Sequence, residues 1–100
     1  MGRSAIKLDD LRHQRQAILA LAERHGARNL RIFGSVAAGA STAASDVDVL
    51  ARFDSDRSLL DLGGLKADLE DLLGCSVDVV SEGGLRHGFR EVVLQQAIAL

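Results

Sequence analysis

One hundred residues bound the chain to one small domain, read as residues 1–100, and 47% apolar residues with only three aromatics, all Phe, give it an aliphatic core. A formal net charge of −2 without a basic block argues against a binder of nucleic-acid backbones. Cys75 is the single cysteine, which excludes a disulfide framework and a cysteine zinc site. No signal peptide or membrane span is legible, so a cytoplasmic protein without membrane contact is expected.

Residues 1–7 read as a loose end. From Leu8 to about His25 the pattern predicts one helix, with Leu11, Ile18, Leu21 and Ala22 on one face and Gly26 as its stop. Arg28 to Phe33 is a short strand. Gly34 to Thr42 is a turn holding about one helical turn. Asp46 to Phe53 is a second strand, followed by a polar break and an N-cap at Ser58.

Leu59 to Leu73 is a second long helix with Leu62, Leu65, Leu69, Leu72 and Leu73 as its stripe and Gly74 as its end. Gly63 and Gly64 weaken its first half by about 1 kcal/mol each, so that end is expected to fray or kink. Ser76 to Val80 is a third strand, with Val77 and Val79 on one face and Asp78 on the other. Gly83-Gly84 turn the chain into a last helix, Phe89 to about Ala97, with Phe89, Val92, Val93 and Gln96 on one face. This order predicts an α/β fold with a small mixed sheet of about three strands flanked by helices. The first two strands should pair antiparallel across a short link. The second and third should pair parallel across a helical crossover.

The chemistry concentrates between Arg31 and Leu50. Asp46 and Asp48 alternate with Val47 and Val49, so the two carboxylates share one strand face, roughly 7 Å apart over two strand rises. Two like charges that close need a cation between them, and Mg²⁺ takes one or two carboxylates plus substrate phosphates. Gly34-Ser35, at a strand end before a short helix, offers free backbone N–H groups and a hydroxyl to an anion. Asp78 can join the same face from the third strand. A solvated strand end is the plain alternative for the pair, and an edge-strand charge is that for Asp78.

The pattern Gly34-Ser35, Gly39 and Ser45-Asp46-Val47-Asp48, with Phe33 before it and Leu72-Leu73-Gly74 and Val77-Asp78-Val79-Val80 after it, resembles the signature of the DNA polymerase beta-like nucleotidyltransferases. The short chain looks like their minimal branch, and the resemblance runs from about Leu30 to the C-terminus. It implies the polymerase beta-like core, two Mg²⁺ ions held by Asp46, Asp48 and Asp78, and ATP as substrate. Asp46 and Asp48 would bridge the metals and Asp78 would activate the acceptor. Gly34, Ser35, Gly39 and Ser45 count with the nucleotide-binding residues, and Ser45 is also assigned to hold the turn before the aspartates.

The resemblance further implies a small helical HEPN-type toxin as partner, modified with AMP on a tyrosine, and hence an antitoxin role with an oligomer formed with that partner. One departure is plain: the branch carries an arginine just before the second glycine, where this chain has Ala38. ATP binding should be weak unless Arg31, Arg86, Arg90 or a partner residue supplies that charge. The alternative function is a non-catalytic module that neutralises a helical partner by contact, and a third is transfer to a small molecule or RNA end. His13, His25 and His87 have no mutual ligand spacing and read as surface residues. Cys75 reads as a small core residue.

Overall fold

A computed structural model describes residues 5–85 and 87–100, so Arg86 and the side chain of His87 lie outside the described residues. In chain order the elements are α1 (Leu8–His13), α2 (Arg15–Arg24), β1 (Ala27–Phe33), α3 (Gly34–Ala37), β2 (Val47–Phe53), α4 (Leu59–Leu73) and β3 (Val77–Ser81). A 3₁₀ turn (Glu82–Gly84), α5 (His87–Gln96) and β4 (Ile98–Ala99) complete the order. The sheet order is β3-β2-β1-β4. β1 pairs antiparallel with β2 and β4, and β2 pairs parallel with β3 across α4. The mixed α/β sheet is as expected, with one strand more than the three predicted. Two residues of alternation at Ile98-Ala99 are too few to register as a strand, and the edge of β1 recruits them.

The predicted first helix is two. Gln14 leaves helical geometry at φ −106°, ψ 18°, and its N–H bonds Leu11 O at 3.0 Å in a 3₁₀-like step. No glycine or proline marks the break. The expected face still holds, with Leu11, Ile18 and Ala22 buried and Leu21 packed against them. α4 runs unbroken through Gly63-Gly64. It is capped by Ser58, whose hydroxyl accepts from Leu60 N while its own N–H bonds Asp61. Gly74 ends it in the left-handed region at φ 68°.

His25 is half-buried rather than on the surface. Its Nε2 lies 2.7 Å from Asp68 Oδ2, and the ring packs on Gly64 so closely that a Cβ there would stand 2.7 Å from Cε1. That packing is what a glycine inside α4 permits. Of the face predicted for the last helix, Val93 is buried, but Phe89 and Val92 are exposed. Cys75 packs against the core.

One sheet face carries the core: Val47, Val49 and Ala51 of β2, Val77 and Val79 of β3, and Leu30 and Ile32 of β1, against Ile18 and Ala22 of α2 and Leu65 and Leu69 of α4. β1 reaches this arrangement through a bulge. Its register against β2 slips by one residue between Arg28 and Arg31, where Asn29 has φ 53°. The extra residue lets Ala27, Leu30 and Ile32 all turn inward. Arg28, Arg31 and Phe33 are left facing the other way, in line with Arg52, Leu50 and Asp48 of β2.

Candidate active site

That second face holds the candidate site. Phe33 is in register with Asp48, and Asp48 with Asp78, so these three form one row across β1, β2 and β3. Adjacent strands lie about 4.8 Å apart, which sets the spacing of the two carboxylate-bearing backbones. β3 is an edge strand, and Asp78 is exposed on it. Asp46 is exposed one residue before β2, where the sequence had placed the strand's first residue.

Gly34 begins α3 directly beyond Phe33 with φ +72°, in the left-handed region. A Cβ at this position would collide with the Asp48 carboxylate oxygen Oδ2. Glycine is needed here both for its backbone angle and for the close approach of the carboxylate. One helical turn later the chain leaves α3 through Gly39 at φ +71°. Gly39 N–H bonds Val36 O at 3.2 Å and Ala40 N–H bonds Ser35 O at 2.9 Å, the Schellman pattern of a helix end. Ser35 is half-buried at the start of this turn, and Ala38 is exposed at its end. Ser45 ties the loop ahead of the aspartates: its hydroxyl accepts from Thr42 N at 2.8 Å and its N–H bonds Thr42 O at 3.0 Å.

The electrostatics of the row are unbalanced. Burial pushes the Asp48 carboxyl above the usual aspartate range, and the negative charges of Asp78 and then Asp46 push it further the same way. Among the described residues no three His, Cys, Asp or Glu side chains come together closely enough to hold a metal ion unaided. The grouping of Asp46, Asp48 and Asp78 expected from the sequence is thus not closed by the protein alone. The donor set nevertheless fits magnesium. It is all hard oxygen, it carries uncompensated negative charge, and Mg²⁺ completes its shell with substrate phosphates and water when a protein offers one or two carboxylates.

Sequence reasoning named Arg31 and Arg90 as candidate sources of the missing charge, but not the carboxylate that they share. Arg31, one step along the same face, lies 3.7 Å from Glu82 Oε2 of the 3₁₀ turn through its Nη1. Arg90 of α5 reaches the other oxygen of Glu82 at 3.4 Å. The period of two from Phe33 places Arg31 on the site face, but no local pattern announces that Glu82 folds back over it.

The chain has clear relatives. A sequence profile described as a nucleotidyltransferase domain matches residues 14–100. A proposed protein adenylyltransferase of Methanocaldococcus jannaschii is 34% identical over 84 residues, which cover 84% of this chain and 90% of the relative. Protein adenylyltransferase MntA of Thermococcus cleftensis is 40% identical over 78 residues, 78% of this chain and 79% of the relative. A solved structure proposed to be a minimal nucleotidyltransferase superposes with a TM-score of 0.86 at 50% identity, over 95% of this chain and 97% of that one. A toxin–antitoxin crystal structure with AMP-PNP shares the fold at a TM-score of 0.73 and 20% identity, over 84% of this chain and 69% of that one. With its profile matched over most of its length and its fold shared with solved relatives, the chain belongs to the nucleotidyltransferase domain family and is an enzyme of that kind.

Proposed function

We propose that this nucleotidyltransferase transfers AMP from ATP to a hydroxyl, a tyrosine, of a helical HEPN-type toxin, and so acts as its antitoxin in the cytoplasm. The observation that carries the reading is the row formed by Gly34, Asp48 and Asp78. A carboxylate is held against a glycine turn, with a second carboxylate beside it, and burial and like charge leave Asp48 short of a cation. The adenylyltransferase relatives support AMP as the transferred group. The toxin–antitoxin fold neighbour is consistent with a protein as acceptor.

In this reading Asp46 and Asp48 hold magnesium, with Asp78 as a further ligand, and Gly34, Ser35, Gly39 and Ser45 form the nucleotide side of the site. Magnesium, when bound with ATP, neutralises the carboxylates and withdraws charge from the phosphoryl group. The residues do the rest. The Gly34 and Ser35 N–H groups begin a helical turn and have no intrahelical partners, so they can receive phosphate oxygens. Asp78, exposed on the edge strand, accepts the proton of the acceptor hydroxyl. The acceptor oxygen bonds the α-phosphorus while the bond to pyrophosphate breaks.

Co-expression with a helical HEPN-type protein, sought first among its genomic neighbours, tests this. The expected result is a partner heavier by multiples of AMP, dependent on Asp48. A partner that stays unmodified yet is still neutralised would replace transfer by inhibition through contact.

A further inference from the structure

We propose that Arg31 binds the triphosphate in place of the arginine absent at position 38, and that Glu82 holds it ready between turnovers. This rests on the nucleotidyl-transfer reading above. Arg31 points to the face of Asp48 and Asp78, since its register partner Leu50 follows Asp48 by two residues. Two residues of strand are roughly 7 Å, a span that an arginine's three methylenes and guanidinium can cover.

Two observations show that its present partner does not satisfy it. Its Nη1 is buried with no hydrogen-bond partner among the described residues, and the nearest Glu82 oxygen, at 3.7 Å, is beyond bonding distance. Glu82 is also shared, because Arg90 takes its other oxygen at 3.4 Å. Among the described residues one carboxylate thus faces two guanidinium groups, which leaves one positive charge over. A buried donor left unmade on a charged group asks for a ligand.

The charge lies on the sheet face of Asp48 and Asp78 and is turned toward Glu82, four residues beyond Asp78, so binding a phosphate at the row requires the side chain to leave Glu82. Asp46, Asp48 and Asp78 repel a triphosphate, and Ala38 at the end of α3 is exposed with no charge to offer. The Arg31 side chain keeps 29% of its surface exposed, so a ligand can reach part of it. A planar fork of N–H donors matches phosphate oxygens two at a time, which an ammonium cannot do.

Titration calorimetry with Mg·ATP and with magnesium tripolyphosphate tests the assignment. Arg31→Met keeps the stem and removes the charge, and it should weaken both ligands by about ten- to a hundredfold. Arg31→Lys should restore only part of the loss. Glu82→Gln is the decisive variant. If Glu82 competes with phosphate for Arg31, its removal should tighten tripolyphosphate binding by about two- to fivefold, the span of an exposed ion pair. Wild-type affinity in Arg31→Met overturns the proposal. So does a loss in Glu82→Gln matching that in Arg31→Met, which would make the trio a structural clasp. Should Arg31→Met fail to fold, Arg31→Lys and Glu82→Gln carry the same decision. Failure of the wild-type chain to bind either ligand would instead remove the nucleotidyl-transfer reading, and this proposal with it.

Discussion

The two faces of the sheet treat carboxylates in opposite ways. On the helix-backed side, Glu70 of α4 accepts from Val77 N at 3.1 Å and from Lys66 Nζ at 3.2 Å, while Lys66 also donates to Val77 O at 2.6 Å. The backbone bond to Val77 foremost, with the Lys66 bond second, holds the Glu70 carboxyl below the usual glutamate range. On the open side, Asp48 is pressed by burial and by Asp78 and Asp46 into the opposite shift. Glu70 clips α4 to the start of β3 and is fully compensated. Asp48 sits on β2 at the same end of the sheet and is left short of positive charge. A carboxylate that serves the fold arrives with its partners, whereas Asp48, in the role proposed for it, takes its partner from solution.

The strongest break in this contrast comes from the backed face. Leu65 is fully buried between α4 and the sheet, so Leu65→Ala should cost about 2–5 kcal/mol in urea unfolding. No single substitution of an aspartate in the open row should approach that loss. A comparable destabilisation by Asp78→Asn would show that the open face is structural after all.

Next in size is an effect on rate alone. Asp78→Asn should slow transfer by at least about a hundredfold, the low end of general-base effects, with Mg·ATP affinity changed much less. Equal transfer by wild type and variant would reduce Asp78 to a charge guarding the edge of β3.

The smallest effects sharpen the comparison through their sign. Glu70 binds its proton less tightly in the folded chain than in the unfolded one. Its stabilisation is present above the ordinary carboxyl value of 4.5 and fades as pH falls through the folded, lower value. Glu70→Gln should melt lower than wild type at neutral pH, with the gap closing in acid. Asp48 is the reverse. The folded chain binds this proton more tightly, so stability falls as pH rises from the ordinary value of 3.8 through the raised one. Asp48→Asn should melt higher than wild type at neutral pH and merge with it in strong acid. Magnesium with nucleotide should raise the wild-type melting temperature more than that of Asp48→Asn. Thermal melts across pH check both variants, and shifts of the same sign would end the contrast.

Much of this was legible in the residues. Alternation in Asp46-Val47-Asp48-Val49 and Val77-Asp78-Val79 separated the buried face from the open one correctly, because strand side chains alternate whatever the rest of the chain does. The left-handed glycines at 34, 39 and 74 also fell where turns were read. Other features depend on distant partners. The step at Gln14 has no local breaker. β4 exists only because β1 offers an open edge. His25 is drawn inward by Asp68, 43 residues away, and a lone histidine after a helix stop carries no sign of it. Phe89 and Val92 follow helical spacing, yet α5 buries only Val93 of that face, since periodicity gives a stripe and not what covers it. Arg31 and Glu82 meet for the same kind of reason.

The row of Phe33, Asp48 and Asp78 also sets an order in time. Gly34 and Asp48 belong to one antiparallel pair closed by a short loop, whereas Asp78 reaches Asp48 only after α4 has crossed over and β3 has docked in parallel. Short loops close at lower entropic cost, and parallel pairing across a crossover comes later and more slowly. During synthesis the Gly34 turn and Asp48 leave the ribosome before Asp78, the residue proposed to take the proton, has been made. If Asp78 carries the proposed role, docking of β3 completes the site, and the appearance of activity during refolding should report that docking and not the earlier collapse.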